Sequence, residues 1–358
     1  MERGHLECDG LSERGQVRAV NDDQFVIAEL RKSMVVYRSS GALGEPSPRF
    51  GDSLGHLLLV ADTGGDTADA RVSALAVQTI ADYMLNIIPW FYRLGGPQED
   101  DFLQELVSAL EQCHTRIQAV ANATPGAPEV GAVLTMAYVT WPWVYVIHVG
   151  NCRCYLQHDT TLEQITTDHT LAQELVDSGV LPAHEGATSR LSRVLWNAIG
   201  GGLDHPRPEV YKARLHVGDT LLLCTDGLPT HVPDPDIRAL LQAREPAGET
   251  CRQPVEAANR AGGTDNITVI VARLRHPAHD TVAAEEAAVA TAVTVATPLP
   301  AEPEGRAVPA AWTEGDAPGA LRGGSRRPAA TRISHCPAPA GEILGAAGRD
   351  LRRDHRGL

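Results

Sequence analysis

The chain has 358 residues, 43% of them hydrophobic, and 45 acidic against 31 basic side chains leave a formal charge of −14. This is the composition of a globular protein with a core to bury, and its acidity argues against nucleic acid or an anionic membrane surface as a partner. Seven cysteines without framework spacing fit the reducing cytoplasm, and with no positively flanked apolar run in Met1–Gly10 no secretory signal is expected.

From about Leu11 to Leu274 strand-like and helix-like patterns alternate. Asn21-Asp22-Asp23 opens the first apolar segment, and Arg31–Gly55, with Gly41, Gly44, Pro46, Pro48 and Gly51, reads as a long surface insertion. Leu57-Leu58-Leu59-Val60-Ala61 is a continuous apolar run, the mark of a strand buried on both faces. Asp62-Thr63-Gly64-Gly65 follows it. Val72, Leu75, Ala76, Ile80, Tyr83 and Met84 then recur at helical spacing, and Phe102, Leu106, Leu110, Cys113, Ile117 and Val120 mark a second helix. Strands are predicted at Ala132–Val139, Trp143–His148, Leu221–Cys224 and Ile267–Ala272, with shorter helices at 170–178, 234–243 and 249–261. Turns as short as Trp141-Pro142 join neighbouring strands, which predicts antiparallel sheets flanked by helices.

Cys152 and Cys154 alternate on a predicted strand and share a face. Two buried small hydrophobes are a better account of them than a metal or redox pair. From His276 onward Ala, Pro, Gly and Arg dominate; 9 Arg against 10 acidic residues leave this stretch at −1. It has too few large apolar residues to offset the entropy of ordering. The expected division is a domain over 1–275 and a disordered tail over 276–358, with no membrane span.

Asn21-Asp22-Asp23, Asp62-Thr63-Gly64-Gly65, Val149-Gly150-Asn151, Thr225-Asp226-Gly227 and Gly262-Gly263-Thr264-Asp265-Asn266 each stand at a strand edge. Taken singly, each is ordinary turn or cap chemistry. Together they deliver carboxylates from separate segments to sheet ends. Hard divalent cations such as Mg²⁺ and Mn²⁺ take oxygen ligands, keep several waters and tolerate few carboxylates each, so four carboxylates suit a pair of them. His184-Glu185 lacks the second histidine of a zincin helix, and Gly200-Gly201-Gly202 reads as a structural turn.

The same segments carry a family resemblance. Gly15-Gln16-Val17-Arg18-Ala19-Val20-Asn21-Asp22-Asp23 resembles the "G-x-V-R-x-x-N-E-D" opening of the type 2C, metal-dependent protein phosphatases. Val60–Asp66 is similar to their "V-A-D-G-M-G-G", His148–Leu156 to "H-V-G-D-S-R-x-Y-L", and Thr167–Leu175 to "T-x-D-H-S-x-x-Q-E-L". Leu222–Leu228 and Gly262–Val271 complete the series in order, so the resemblance covers nearly all of Leu11–Leu274. The flap motif Asp168–Leu175 looks like the bacterial, kinase-opposing branch rather than the regulators of anti-anti-sigma proteins.

The resemblance implies an α+β, four-layer α-β-β-α sandwich with two antiparallel sheets between helices. It implies a serine/threonine phosphatase using two Mn²⁺ or Mg²⁺ ions, acting on phosphorylated proteins as a cytoplasmic monomer. By position, Asp62 would bridge both metals, the Thr63 carbonyl would complete one sphere, and Asp226 and Asp265 would hold the other ion. Asp23, with Asp22 beside it, would bind or orient metal waters, and Arg18 would grip the phosphate. The segment 167–193 would form a flap beside the site. Three departures stand out. Thr63 replaces a glycine and is costly if φ is positive; Asp66 adds a carboxylate; Asn151 replaces an aspartate of a third, weaker metal site. They leave open a catalytically weak phosphatase-like domain that acts as a phosphoprotein-binding or regulatory module.

Overall fold

In a computed structural model of the chain, residues 5–36, 47–64, 70–86, 99–122, 130–186, 189–243 and 245–276 are described. The first strands are β1 (His5–Glu13), β2 (Gln24–Val36) and β3 (Ser47–Gly64), followed by helices α1 (Ala70–Asn86) and α2 (Glu99–Asn122). Then come β4 (Gly131–Thr140), β5 (Trp143–Val149), β6 (Arg153–His158), β7 (Thr161–Gln164), α3 (Leu171–Asp177) and α4 (Ala183–Gly186). A 3₁₀ turn at Arg190–Arg193 leads to β8 (Ile199–Gly200), β9 (Glu209–Arg214), β10 (Thr220–Cys224), α5 (Asp234–Leu241), α6 (Ala247–Arg260) and β11 (Ile267–Arg275).

One sheet has the order β1-β11-β10-β6-β7 and the other β2-β3-β4-β5-β9, with β8 added beside β4; all the pairings are antiparallel. The apolar run Leu57–Ala61 shows why there are four layers. Successive side chains of a strand point to opposite faces. Leu57 and Leu59 therefore join Ile80, Phe102, Leu106 and Met136 between the second sheet and α1 and α2. Leu58 and Val60 join Val146, Leu221, Leu223 and Ile270 between the sheets. Leu222, Val269 and Val271 meet Ile237 and Val255 of α5 and α6 on the far side. A strand covered on both faces has no polar side, hence the unbroken run. Burying each large aliphatic side chain stabilises the fold by roughly 1.5–3 kcal/mol.

Cys152 and Cys154 both lie in the inter-sheet layer, as small hydrophobes, and burial pushes the Cys154 thiol up to about 12. Arg31–Gly55 differs from the expected insertion. Arg31–Val36 and Ser47–Gly55 largely extend β2 and β3 as paired arms of one hairpin, with register shifts near Arg31. Pro and Gly sit on the returning arm, where they interrupt the hydrophobic alternation that would have announced a strand. The middle of that segment, Asp66, and the expected tail from Pro277 onward lie outside the described residues. Among the described residues no helix is long and apolar enough to cross a membrane.

Candidate metal centre

Antiparallel pairing sets the site. Gln24 of β2 faces Ala61 of β3, so Asp23 and Asp62 arrive at the same end of one sheet. Cys224 of β10 faces Val269 of β11, so Asp226 and Asp265 arrive together from the other. Each carboxylate feels the others through little solvent. Burial, then the charges of Asp23 and Asp226, hold Asp62 well above the usual carboxylate range. Burial and then Asp265 and Asp23 raise Asp226. Burial raises Asp23 despite hydrogen bonds that oppose the shift. The structure thus brings together the four expected carboxylates.

Hydroxyls fix Asp23: Thr225 Oγ1 and Thr268 Oγ1 donate to its Oδ2 at 2.8 and 2.7 Å. Its Oδ1 is buried and without a hydrogen-bond partner. Leaving such an acceptor unmet costs about 1–3 kcal/mol. A hard cation would satisfy that oxygen and offset the mutual repulsion of four carboxylates, so the residues fit Mn²⁺ or Mg²⁺. Among the described residues the four do not form a tight chelate: the one triad of His, Cys, Asp or Glu donors within 4.8 Å of one another lies elsewhere.

Thr63 is buried and paired with Ala132 in the β3–β4 ladder. Among the described residues Asp159 is the one non-glycine with positive φ, so the strain feared at Thr63 does not arise; a β-branched residue suits a strand. Asp22 is buried and its backbone is clamped: its N–H donates to Asn266 Oδ1 at 2.8 Å, and Ser73 Oγ donates to its carbonyl. Asn266 also donates through Nδ2 to the carbonyls of Arg14 and Val20, stapling the loop that carries Arg18. Gly15 in that loop has φ +76°, and a Cβ there would lie 2.1 Å from the Asp265 carbonyl oxygen. Gly227 has no φ requirement, but its Cβ would stand 1.9 Å from the Asn266 carbonyl oxygen.

Arg18 differs from expectation. Its guanidinium takes Asp265 in a fork, Nη2 to Oδ2 and Nε to Oδ1, each at 2.8 Å. A fixed planar fork matches a carboxylate as well as a phosphate, and here it holds the neighbouring Asp265. Asn151 differs too: rather than offering oxygen it donates Nδ2 to Asp226 Oδ2 at 2.8 Å, which an aspartate could not do.

Roles that the sequence does not announce are those of Thr225, Thr268, Asn266 and Arg193. Arg193 lies in the expected flap, and its charge opposes the rise of Asp226. The flap is anchored at its root. Arg153 grips Asp168 with Nε and Nη2, Nη2 at 2.7 Å from Oδ2, and the His169 N–H donates to the Gly150 carbonyl at 2.7 Å. Thr170 caps α3 through the Gln173 N–H. The signal that could have found the threonines is their place in Thr225-Asp226 and Asn266-Ile267-Thr268, since a buried carboxylate needs donors.

No family model matches the chain. It is 32% identical over 268 residues to the serine/threonine protein phosphatase PstP of Mycobacterium tuberculosis, covering 75% of this chain and 45% of that protein. The chain thus spans less than half the length of that relative. A crystal structure of the M. tuberculosis serine/threonine phosphatase PstP/Ppp superposes with a TM-score of 0.60 at 29% identity, covering 76% of this chain and 99% of that one. The PstP catalytic domain in complex with two manganese ions superposes with a TM-score of 0.58 at 28% identity, over 75% and 98% of the two chains.

Proposed function

We propose that this chain, which has the fold and the ordered motifs of the bacterial type 2C (PPM) phosphatases, hydrolyses phosphoserine and phosphothreonine in proteins. The observation that carries the reading is the meeting of Asp23, Asp62, Asp226 and Asp265 from both sheets at one partly buried edge, with the Arg18 guanidinium on Asp265. The PstP structure with two manganese ions supports the same cofactor here. Asp62 and the Thr63 carbonyl would serve one Mn²⁺ or Mg²⁺, and Asp226 and Asp265 the other, with Asp62 shared. When bound, such ions make a water nucleophilic near neutral pH and offset the charge that develops on the phosphoryl group.

The chain's own residues do the rest. Thr225 and Thr268 hold the Asp23 carboxylate in one orientation, so that its buried oxygen points into the site. Asp22, on a backbone clamped by Ser73 and Asn266, orients water there. Where a bound cation meets the charge of Asp265, the Arg18 fork would be free to hold a phosphate oxygen pair. Asn151 keeps a neutral donor on Asp226 where a third ion would need a charge. We place the protein in the cytoplasm as a monomer opposing Ser/Thr kinases. Catalytic signal transduction is favoured over a silent binding module because every carboxylate of the set is retained.

The test is hydrolysis of para-nitrophenyl phosphate by the full chain with Mn²⁺ titrated in, beside Asp226→Asn. Saturable Mn²⁺-dependent turnover that disappears in the variant is expected. No turnover by folded wild type at millimolar Mn²⁺ overturns the catalytic reading and leaves the phosphoprotein-binding one.

A further inference from the structure

At the other end of β10 stands a second group of donors. Asp219, immediately before the strand, is 1% exposed, yet both of its oxygens face imidazoles. His158 Nδ1, at the end of β6, lies 2.6 Å from Asp219 Oδ1. His216 Nδ1 lies 3.6 Å from Asp219 Oδ2. The two rings have centroids 5.3 Å apart with their planes at 58°, so they converge on the carboxylate and do not stack. One donor atom from each of the three residues lies within 4.8 Å of the others.

The frame is rigid. The Asp219 N–H donates to the His216 carbonyl at 3.1 Å, closing a tight turn, and the His216 N–H donates to Asp219 Oδ2 at 2.8 Å. The Gly218 N–H donates to the Leu274 carbonyl, and the Leu274 N–H to the Asp219 carbonyl, tying that turn to β11. His158 is held from the neighbouring strand β6. Its second nitrogen, Nε2, lies 3.7 Å from Asp159 Oδ2, on the hairpin residue with positive φ.

We infer that His158, His216 and Asp219 form a site for a borderline divalent ion of the Zn²⁺ class, separate from the catalytic edge. The chemistry argues for that class. Two imidazoles and one carboxylate are a donor set for Zn²⁺, Cu²⁺ or Ni²⁺, whereas Mg²⁺ prefers oxygen alone. A tetrahedral ion about 2.0–2.1 Å from each ligand needs donors about 3.3 Å apart. The imidazoles face opposite oxygens of Asp219, at 2.6 and 3.6 Å, and one donor atom from each residue lies within 4.8 Å of the others, so the rings must turn toward one shared oxygen. Both rings are half exposed and can turn to allow it. Asp159 stands on the Nε2 side, 3.7 Å away and exposed, where a ligating imidazole often has a carboxylate, but it makes no hydrogen bond there. Three protein ligands leave a fourth position for water. A simple capped turn with one ion pair explains His158 and the His216 N–H. It does not explain why the His216 ring turns toward the same carboxylate.

The experiment is equilibrium dialysis of the full chain against micromolar Zn²⁺ in millimolar Mg²⁺, which competes at hard-oxygen sites. Wild type, His216→Ala, His158→Gln and Asp226→Asn are compared, with circular dichroism to verify folding. Each histidine variant should retain one equivalent of Zn²⁺ fewer than wild type, whatever the carboxylate edge takes up. Cobalt in place of zinc should give the visible absorption of a tetrahedral ion. Equal uptake by wild type and both histidine variants, or loss of uptake only in Asp226→Asn, overturns the site. Because the readout is bound metal, the outcome does not depend on phosphatase activity.

Discussion

Asp226 and Asp219 bracket β10, and the two ends of this one strand differ in almost every respect that decides which ion can sit there. The Asp226 end gathers four carboxylates from both sheets, holds them with hydroxyls and one asparagine, and leaves a buried oxygen unmet. The Asp219 end has one buried carboxylate, two half-exposed imidazoles and a closed turn. The first arrangement concentrates negative charge and selects hard cations, and the second trades charge for softer nitrogen donors. A strand fixes its two ends equally well, so what separates them is the side chains that the sheet pairings bring alongside.

The comparison breaks most decisively on activity. Asp226→Asn should lower Mn²⁺-dependent hydrolysis by at least about 100-fold, beyond the 10–100-fold typical of groups that only support a ligand. His216→Ala should leave it within about twofold, and a comparable loss in both would mean that the two ends are not independent. Next in size is Thr268→Val, which keeps the shape and removes the donor to Asp23 Oδ2. The Mn²⁺ concentration giving half-maximal activity should rise about 10–100-fold, with kcat at saturation largely restored; an unchanged metal requirement would show that the hydroxyl does not position the carboxylate.

Asn151→Asp sharpens the contrast by adding charge where the catalytic end already has most. The variant loses the 2.8 Å hydrogen bond and sets a second carboxylate against Asp226. Metal-free protein should lose about 1–3 kcal/mol in denaturant melts, and Mn²⁺ should recover most of it. The smallest effect is expected at the imidazole end and depends on pH. The hydrogen bond and charge of Asp219 raise His158 above the usual imidazole range. A raised folded pKa means that this contribution is fully present below about pH 6.5 and is lost as pH rises through the folded value. Stability of wild type over His158→Gln should therefore be greatest near pH 6 and fall as pH rises through the raised His158 value, by no more than roughly 1 kcal/mol for so exposed a pair. A gap that grows with pH in metal-free buffer would contradict the pairing.

Much of the fold is legible in the order of residues. Leu57–Ala61, Ala132–Val139 and Ile267–Ala272 have no polar side, and each is a strand with a core on both faces. The helical spacing from Val72 to Met84 places those side chains under α1. Strand β1 was not legible: it lies at a sheet edge, its side chains are mostly half-exposed, and His5–Glu13 has no clean alternation. The four carboxylates could be picked out because each stands where an apolar run stops. What holds them could not. Arg18 and Asp265 are 247 positions apart, and Thr268 reaches Asp23 across 245; only the pairing of β1 with β11 and the closing of the two sheets bring them into contact. Asn151 illustrates the limit. Its identity announced the loss of a ligand charge, while its role as a donor to Asp226 required the loop after β5 to be placed against the end of β10.

Cys152, Cys154 and Cys224 have no exposed surface, and they lie on or beside neighbouring strands of one sheet, in the layers on both of its faces. Such thiols react with an alkylating reagent only in molecules whose central strands have parted. Their labelling rate is therefore a clock for the opening of the sandwich, already written into the natural chain. Half-buried Cys8, on β1, should react ahead of them and time the fraying of the sheet edge separately.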